Sequence, residues 1–298
     1  QSNLVKLNAY STKNVNTNRT GFCLNLCKQY DNENFLCTLL LKGDNRRSAF
    51  AIRAFNAEIA RIANSVSDDK IGQMRLKFWE DSVERIYSSK TDEYIPEHPV
   101  VRELKRTIDT HKLTKRYFNR LITARTNSNL RFVTTKQLED YAEQSVSSVY
   151  YLLLEVLGIK NVHADHAASH LGKAQGITNI LRSIPRQQRQ PIVPIPQEIL
   201  MQHGVSQERI LRNRKDDKGV EECIFQVATL AHQHLEKSRS LVSSIPSKSK
   251  SILLPAITID RYLDRLRKAN FNLSDKNLLT KDSLLPLILY FNYLRGKY

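Results

Sequence analysis

His163, His166 and His170 stand at i, i+3 and i+7 of a segment with helical periodicity, so their imidazoles can share one helix face. Three neutral imidazoles so placed are candidate Zn²⁺ ligands, with Asp165 off to one side. One helix makes a poor tetrahedral cage, however, and no cysteine or acid is tied to the site by spacing. Ordinary packing and hydrogen bonding is the stronger account. His232 and His234 lie two apart, do not share a face and read as structural. Glu139, Asp140, Glu143 and Glu155 fall on one long predicted helix. Carboxylates suit Mg²⁺, but without partners on a facing helix these acids read as a solvated face. Tyr141, Tyr150 and Tyr151 read as core or pocket lining rather than as catalytic groups. Four cysteines are too few for a disulfide framework in a chain of 298 residues. Cys23, Cys27, Cys37 and Cys223 are expected as buried apolar thiols.

The elements that must position these groups are helices, since almost every longer segment repeats its apolar residues at helical spacing and no alternating strand pattern persists. Asp44 or Ser48 starts a helix to about Asn64. Ser67, Asp68 and Asp69 form an N-cap cluster for the next. Pro99 opens a helix to Thr110, and Thr114 opens another to Arg125. A long helix runs from Thr134 or Thr135 to Leu157, with Gly158 as its C-cap. The histidine-bearing helix follows and stops at Pro185. Lys218 to Ser244, Ile259 to Ala269 and Leu284 to Leu294 complete the set. The pattern predicts an all-α bundle with a hollow centre, as one domain over residues 21–298 after a disordered tail at 1–20. The loop from Arg186 to Ile195 is expected to be flexible.

With 41% apolar residues the chain can bury a substantial core, and its net charge is +16. Such a charge fits an acidic partner, whether anionic lipid, nucleic acid or a negative protein surface, although a generally basic protein of the mitochondrial matrix is the favoured account. No RNA- or DNA-binding signature accompanies it, which argues against a nucleic-acid binder. Ahead of the first acid, Asp31, lie Lys6, Lys13, Arg19 and Lys28 in a Ser/Asn/Thr-rich tract, as in the tail of a mitochondrial presequence. No apolar run approaches the roughly 20 residues of a membrane span. Leu284 to Leu294 is the longest candidate and is interrupted by Pro286 and Asn292, so any membrane association is expected to be peripheral.

The stretch LGKAQGITNILRS, ending at Ser183, resembles the second signature of the squalene/phytoene synthase family, A-x-Q-L-T-N-I-L-R-D-x-x-x-D. The first signature, F-C-R-x-x-D-x-x-x-D, is similar to the stretch from Phe55 to Asn64. In that family the aspartates hold Mg²⁺ against an isoprenoid diphosphate. Here their positions fall on Ala60, Asn64, Ser183 and Gln187, and the motif arginine on Ala57. Neither a methyl, a hydroxyl nor an amide replaces a carboxylate toward a hard dication. Glu58 lies two residues off register from Ala60. Gly176 takes the family's glutamine position and Tyr150 stands where a small glycine usually lines the pocket, whereas Asn179 and Tyr141 match. Leu39 to Ala49 resembles the family's L-L-P-x-x-x-R-x-A entry, and Ile192-Val193-Pro194 its Y-L-P exit.

The resemblance spans about Phe22 to Tyr298 and implies an isoprenoid (trans-prenyl) synthase-like helical bundle around a central cavity, lined by Phe55, Tyr141, Tyr150, Gly176 and Asn179. It further implies a pseudoenzyme without catalytic residues, cofactor or metal. The phrases AFAIRAFNAEIA, GQMRLKFWED and LLPLILYFNYLR are similar to an animal branch that has lost the aspartates. That branch implies a role in assembling mitochondrial complex I (NADH dehydrogenase) at an early membrane-arm stage. Its expected partners are complex I subunits or assembly intermediates. The implied place is the matrix, peripheral to the anionic inner membrane. Two alternatives stand beside it: an isoprenoid- or lipid-binding protein, and a residual prenyl transferase.

Overall fold

Small residues recur every fourth position along one helix, at Ala164, Ala168, Gly172 and Gly176, and this stripe decides how the bundle closes. In the computed structural model a Cβ added to Gly172 would lie 2.2 Å from the Ser147 hydroxyl oxygen and 2.4 Å from its Cα. One added to Gly176 would lie 2.5 Å from the Ala142 Cβ. Only glycine lets the two backbones approach this closely.

The structure describes residues 19–66, 68–88, 95–126, 130–186, 193–212 and 217–298. Among them it is all helix, with no strand. In chain order the α-helices are α1 Arg19–Tyr30, α2 Asn32–Leu39, α3 Gly43–Ser65, α4 Asp69–Ser88, α5 Pro99–His111 and α6 Lys115–Thr123. Then come α7 Thr135–Ala142, α8 Ser148–Val156, α9 Val162–Ser183, α10 Gln197–Gln202 and α11 Gln207–Arg212. The set closes with α12 Lys218–Ser240, α13 Pro255–Lys268, α14 Lys276–Leu279 and α15 Leu285–Leu294.

The central element is α9, packed along its length by α12 and flanked by α7, α8 and α13. Asn161 starts it by accepting the Ala164 N–H at 2.9 Å. Gly158 ends α8 in a left-handed turn, φ 65°, as its position in the sequence predicts. Asp68 accepts the Lys70 N–H at 2.8 Å and so caps α4, while Ser67 lies outside the described residues. The expected unbroken helix from Thr134 to Leu157 is interrupted by a π-helical turn, Glu143–Ser147, which lies against α9 at Gly172.

Other boundaries shift for local reasons. Pro255 sits at the first position of α13, four residues before the expected start, because proline's missing N–H costs nothing there. The helix α1 begins at Arg19, inside the segment expected as a tail, and residues 1–18 lie outside the described residues, as does most of the Arg186–Ile195 loop. No described helix is long and apolar enough to cross a membrane.

Candidate functional site

The helices α3 and α9 carry the two signature segments. On α3, Ala57 is buried, Ala60 is exposed, and Asn64 lies in the last turn. On α9, Ser183 is the last residue, and its hydroxyl donates to the Ile180 carbonyl of its own helix at 2.7 Å. Gln187 lies outside the described residues. The one acid beside the first signature, Glu58, pairs loosely with Arg61 at 3.7 Å, and burial raises its pKa.

The residues expected to line a cavity are mostly packed interior. Phe55 is fully buried, edge-on to Trp79 and Phe118 with ring centroids 5.5 Å apart in each pair. Gly176 meets Ala142 and is a close-approach position rather than an open wall. Tyr150 is fully buried, and its ring fills space between α8, α9 and α3. Tyr141 is half-buried against Phe132, and Asn179 is exposed.

Around Tyr150 runs a polar chain that spacing does not reveal. Its hydroxyl donates to Gln175 Oε1 at 2.7 Å, and the Gln175 amide donates to Asn34 Oδ1 at 3.2 Å. The Asn34 amide in turn donates to Asp31 Oδ1 at 2.7 Å. Arg53, only 4% exposed, approaches Asp31 at 3.8 Å, and its Nε has no partner. Burial raises the Asp31 pKa despite the nearby Arg53 charge. Arg125 is held by neutral acceptors: the Leu121 carbonyl at 2.6 Å, Asn56 Oδ1 at 2.7 Å and the Ser145 carbonyl at 3.3 Å. Arg182, next to Ser183, donates to Glu33 at 2.7 Å and stacks 4.3 Å over the Tyr262 ring.

The acids read as a solvated face are mostly consumed by structural bonds. Glu143 accepts from Tyr151 and Ser169, both at 2.7 Å, and from Arg120 at 3.2 Å. Burial alone raises its pKa, but the bonds from Ser169 and Tyr151 outweigh it and hold the carboxyl below its ordinary value. Glu155 accepts the Thr114 N–H at 2.9 Å, and Asp140 pairs with Lys136. Glu139 meets His234 Nε2 at 2.9 Å, and His234 Nδ1 meets His170 Nδ1 at 2.8 Å.

The three histidines therefore do not converge on a common point. His163 and His166 are exposed, whereas His170 turns to His234, a partner 64 residues away. Burial, then the neighbouring His234, pushes the His170 pKa down to about 4, so that it is neutral near pH 7. No group of three or more His, Cys, Asp or Glu among the described residues is arranged to hold a metal. All four cysteines are free and buried, and burial pushes Cys23 and Cys37 up to about 12, which keeps them unreactive thiols. Among the described residues the site joins the buried Arg53 and the Tyr150 phenol to two carboxylates, Asp31 and Glu33, each set against an arginine.

The squalene/phytoene synthase family model matches residues 27–282. This chain belongs to that family. It is 46% identical over 293 residues to the complex I assembly factor 6 homolog of Drosophila melanogaster, covering 96% of this chain and 88% of that protein. With complex I assembly factor 6 of Bos taurus it shares 43% identity over 279 residues, 93% of this chain and 82% of the relative. The fold is similar to that of a dehydrosqualene synthase solved with ligand, with a TM-score of 0.77 at 20% identity, covering 93% and 95% of the two chains. The isoprenoid synthase-like fold expected from the motifs is therefore the fold observed.

Proposed function

We propose that this chain is a non-catalytic assembly factor for mitochondrial respiratory complex I, built on an inherited prenyl-synthase scaffold. The observation that carries the reading is its likeness, over nearly the whole chain, to relatives named as complex I assembly factor 6. The chemistry of the site supports it. The described aspartate positions on α3 and α9 hold no carboxylate, so a magnesium-bridged diphosphate has no ligands there. Tyr150, bonded to Gln175, is a fully buried ring at the position where the resemblance expects a glycine.

We place its action at an early membrane-arm stage, in the matrix and peripheral to the inner membrane, with complex I subunits or intermediates as partners. The net charge of +16 and the lack of a described membrane-spanning helix support that placement. Deleting the protein in cells is expected to deplete mature complex I on native gels, with early membrane-arm intermediates altered and restored by re-expression. Unchanged complex I in the deleted cells would refute the assembly role. Purified protein given farnesyl diphosphate and Mg²⁺ is expected to show no turnover, and steady product formation would refute the non-catalytic half.

A further inference from the structure

The helix α15 is apolar on nearly every side, yet the protein covers only half of it. Leu285 and Leu289 are buried in a small cluster with Cys37 of α2 and with Leu254 and Ile257 at the start of α13, separate from the main core. On the other side Leu284, Leu287, Tyr290, Phe291 and Leu294 are each more than half exposed. At 3.6 residues per turn these five span an arc of roughly 120°, centred opposite the docked face. The helix thus lies on the body by one side and turns a continuous apolar stripe away from it.

The charges at its ends narrow what can cover that stripe. From Ser283 to Tyr298 the chain has no acid, and it carries Arg295 and Lys297. Lys281 precedes the helix; all three cations are exposed and make no ion pair among the described residues. The neighbouring acid, Asp282, is taken up by Arg261, whose hydrogen bond outweighs burial and holds its carboxyl below the usual range. Apolar stripe, tyrosine hydroxyls and unpaired cations at both ends are the marks of a helix lying in a bilayer surface. A second copy of the chain would instead bring the same cations face to face, in a molecule already at +16.

We infer that α15 is a docking surface for an anionic phospholipid bilayer, with Leu287 and Phe291 entering the acyl boundary and Lys281, Arg295 and Lys297 meeting the headgroups. This deepens the membrane-peripheral part of the function proposed above. It is tested with purified protein alone, so its failure leaves the assembly role standing. In a co-sedimentation assay the protein is expected to bind vesicles of phosphatidylcholine with about one-quarter phosphatidylglycerol more tightly than phosphatidylcholine alone. The double variant Leu287→Asp/Phe291→Asp, with unchanged circular dichroism, is expected to lose roughly tenfold or more of that binding.

Equal partitioning of wild type and variant overturns the inference, as does a wild type that binds neither vesicle. It is also overturned if light scattering shows a wild-type dimer that the variant dissolves without any vesicle binding, since a second copy then covers the stripe. If the double variant fails to fold, Phe291→Trp carries the test. Its fluorescence is expected to shift to the blue on anionic vesicles and to be quenched by brominated lipid, and an introduced indole that stays unquenched overturns the inference. The native Trp79 is buried and serves as the internal reference.

Discussion

The two halves of α3 treat charge in opposite ways. Its first turns carry Arg47 and Ser48, which face α5 in a dense ionic seam. Arg47 donates to both oxygens of Glu103, at 2.6 and 3.0 Å, and Arg106 adds a third bond at 2.9 Å. Arg106 also reaches Asp44 at 2.9 Å, and His111 meets the Ser48 hydroxyl at 2.9 Å. Further along, the same helix has Ala57 and Ala60, and its charges Glu58 and Arg61 pair only loosely, at 3.7 Å. The contrast separates two uses of charge. An ion pair that joins helices is held in place by partners on both, whereas one within a single helix ties no elements together and stays loose.

The largest effect should come from cutting the retained seam. Glu103 is buried beneath two guanidiniums, and their hydrogen bonds outweigh the burial penalty to hold its pKa below the ordinary range. Glu103→Gln is expected to cost about 3 kcal/mol in chemical denaturation, at the low end for a broken buried pair because both arginines stay partly solvated. The pH dependence has a definite sign. A carboxyl whose pKa is depressed on folding stabilises above its unfolded value, and the contribution fades as the pH falls through the folded value. The gap between wild type and Glu103→Gln should therefore be full at pH 7 and shrink below about pH 4. A gap that widened with acid would reverse the account.

Next in size is the seam between α9 and the π-turn. Gly172→Ala drives a methyl into Ser147, and the strain is expected to cost about 1–3 kcal/mol by urea melts. A neutral outcome would mean that the helices separate easily. Tyr150→Phe, which strands the Gln175 carbonyl in the interior, is expected to cost about 1–2 kcal/mol. The smallest effect belongs to the signature end of α3. Because Ala60 is exposed, Ala60→Asp should change stability by no more than about 0.5 kcal/mol. Combined with Asn64→Asp, Ser183→Asp and Gln187→Asp it is expected to confer a melting-temperature rise on adding Mg²⁺ that the natural chain lacks. If the natural chain showed the same rise, carboxylates from elsewhere would be serving the metal.

How much of this is legible in the sequence depends on the range of each interaction. Local signals carry the helices: Pro99 at a first turn, Asp68 in a capping cluster, Gly158 as a stop. The motif phrases carry the fold, because residue types along α3 and α9 keep the family's spacing. The π-turn stays hidden because nothing in the spacing of Glu143 to Ser147 marks it, and its close approach to Gly172 comes from a separate segment. Spacing groups His170 with its sequence neighbours, but its partner comes from α12. The route from Tyr150 through Gln175 to Asn34 and Asp31 joins three segments, and no spacing rule connects residues 31 and 175. Gly176 and Phe55 read as pocket walls only through the family resemblance, whereas here Phe55 packs on Trp79 and Phe118 and Gly176 approaches Ala142, contacts that join distant segments.

The polar chain behind Tyr150 limits how this part of the bundle can be altered. Removing the phenol leaves the Gln175 carbonyl without its donor, in an amide already shared with Asn34. Asn34 in turn serves Asp31, so a change on α8 is felt at the start of α2 through α9. Three distant segments are fastened by a relay of single bonds, and no member of it can be exchanged alone without disturbing the next.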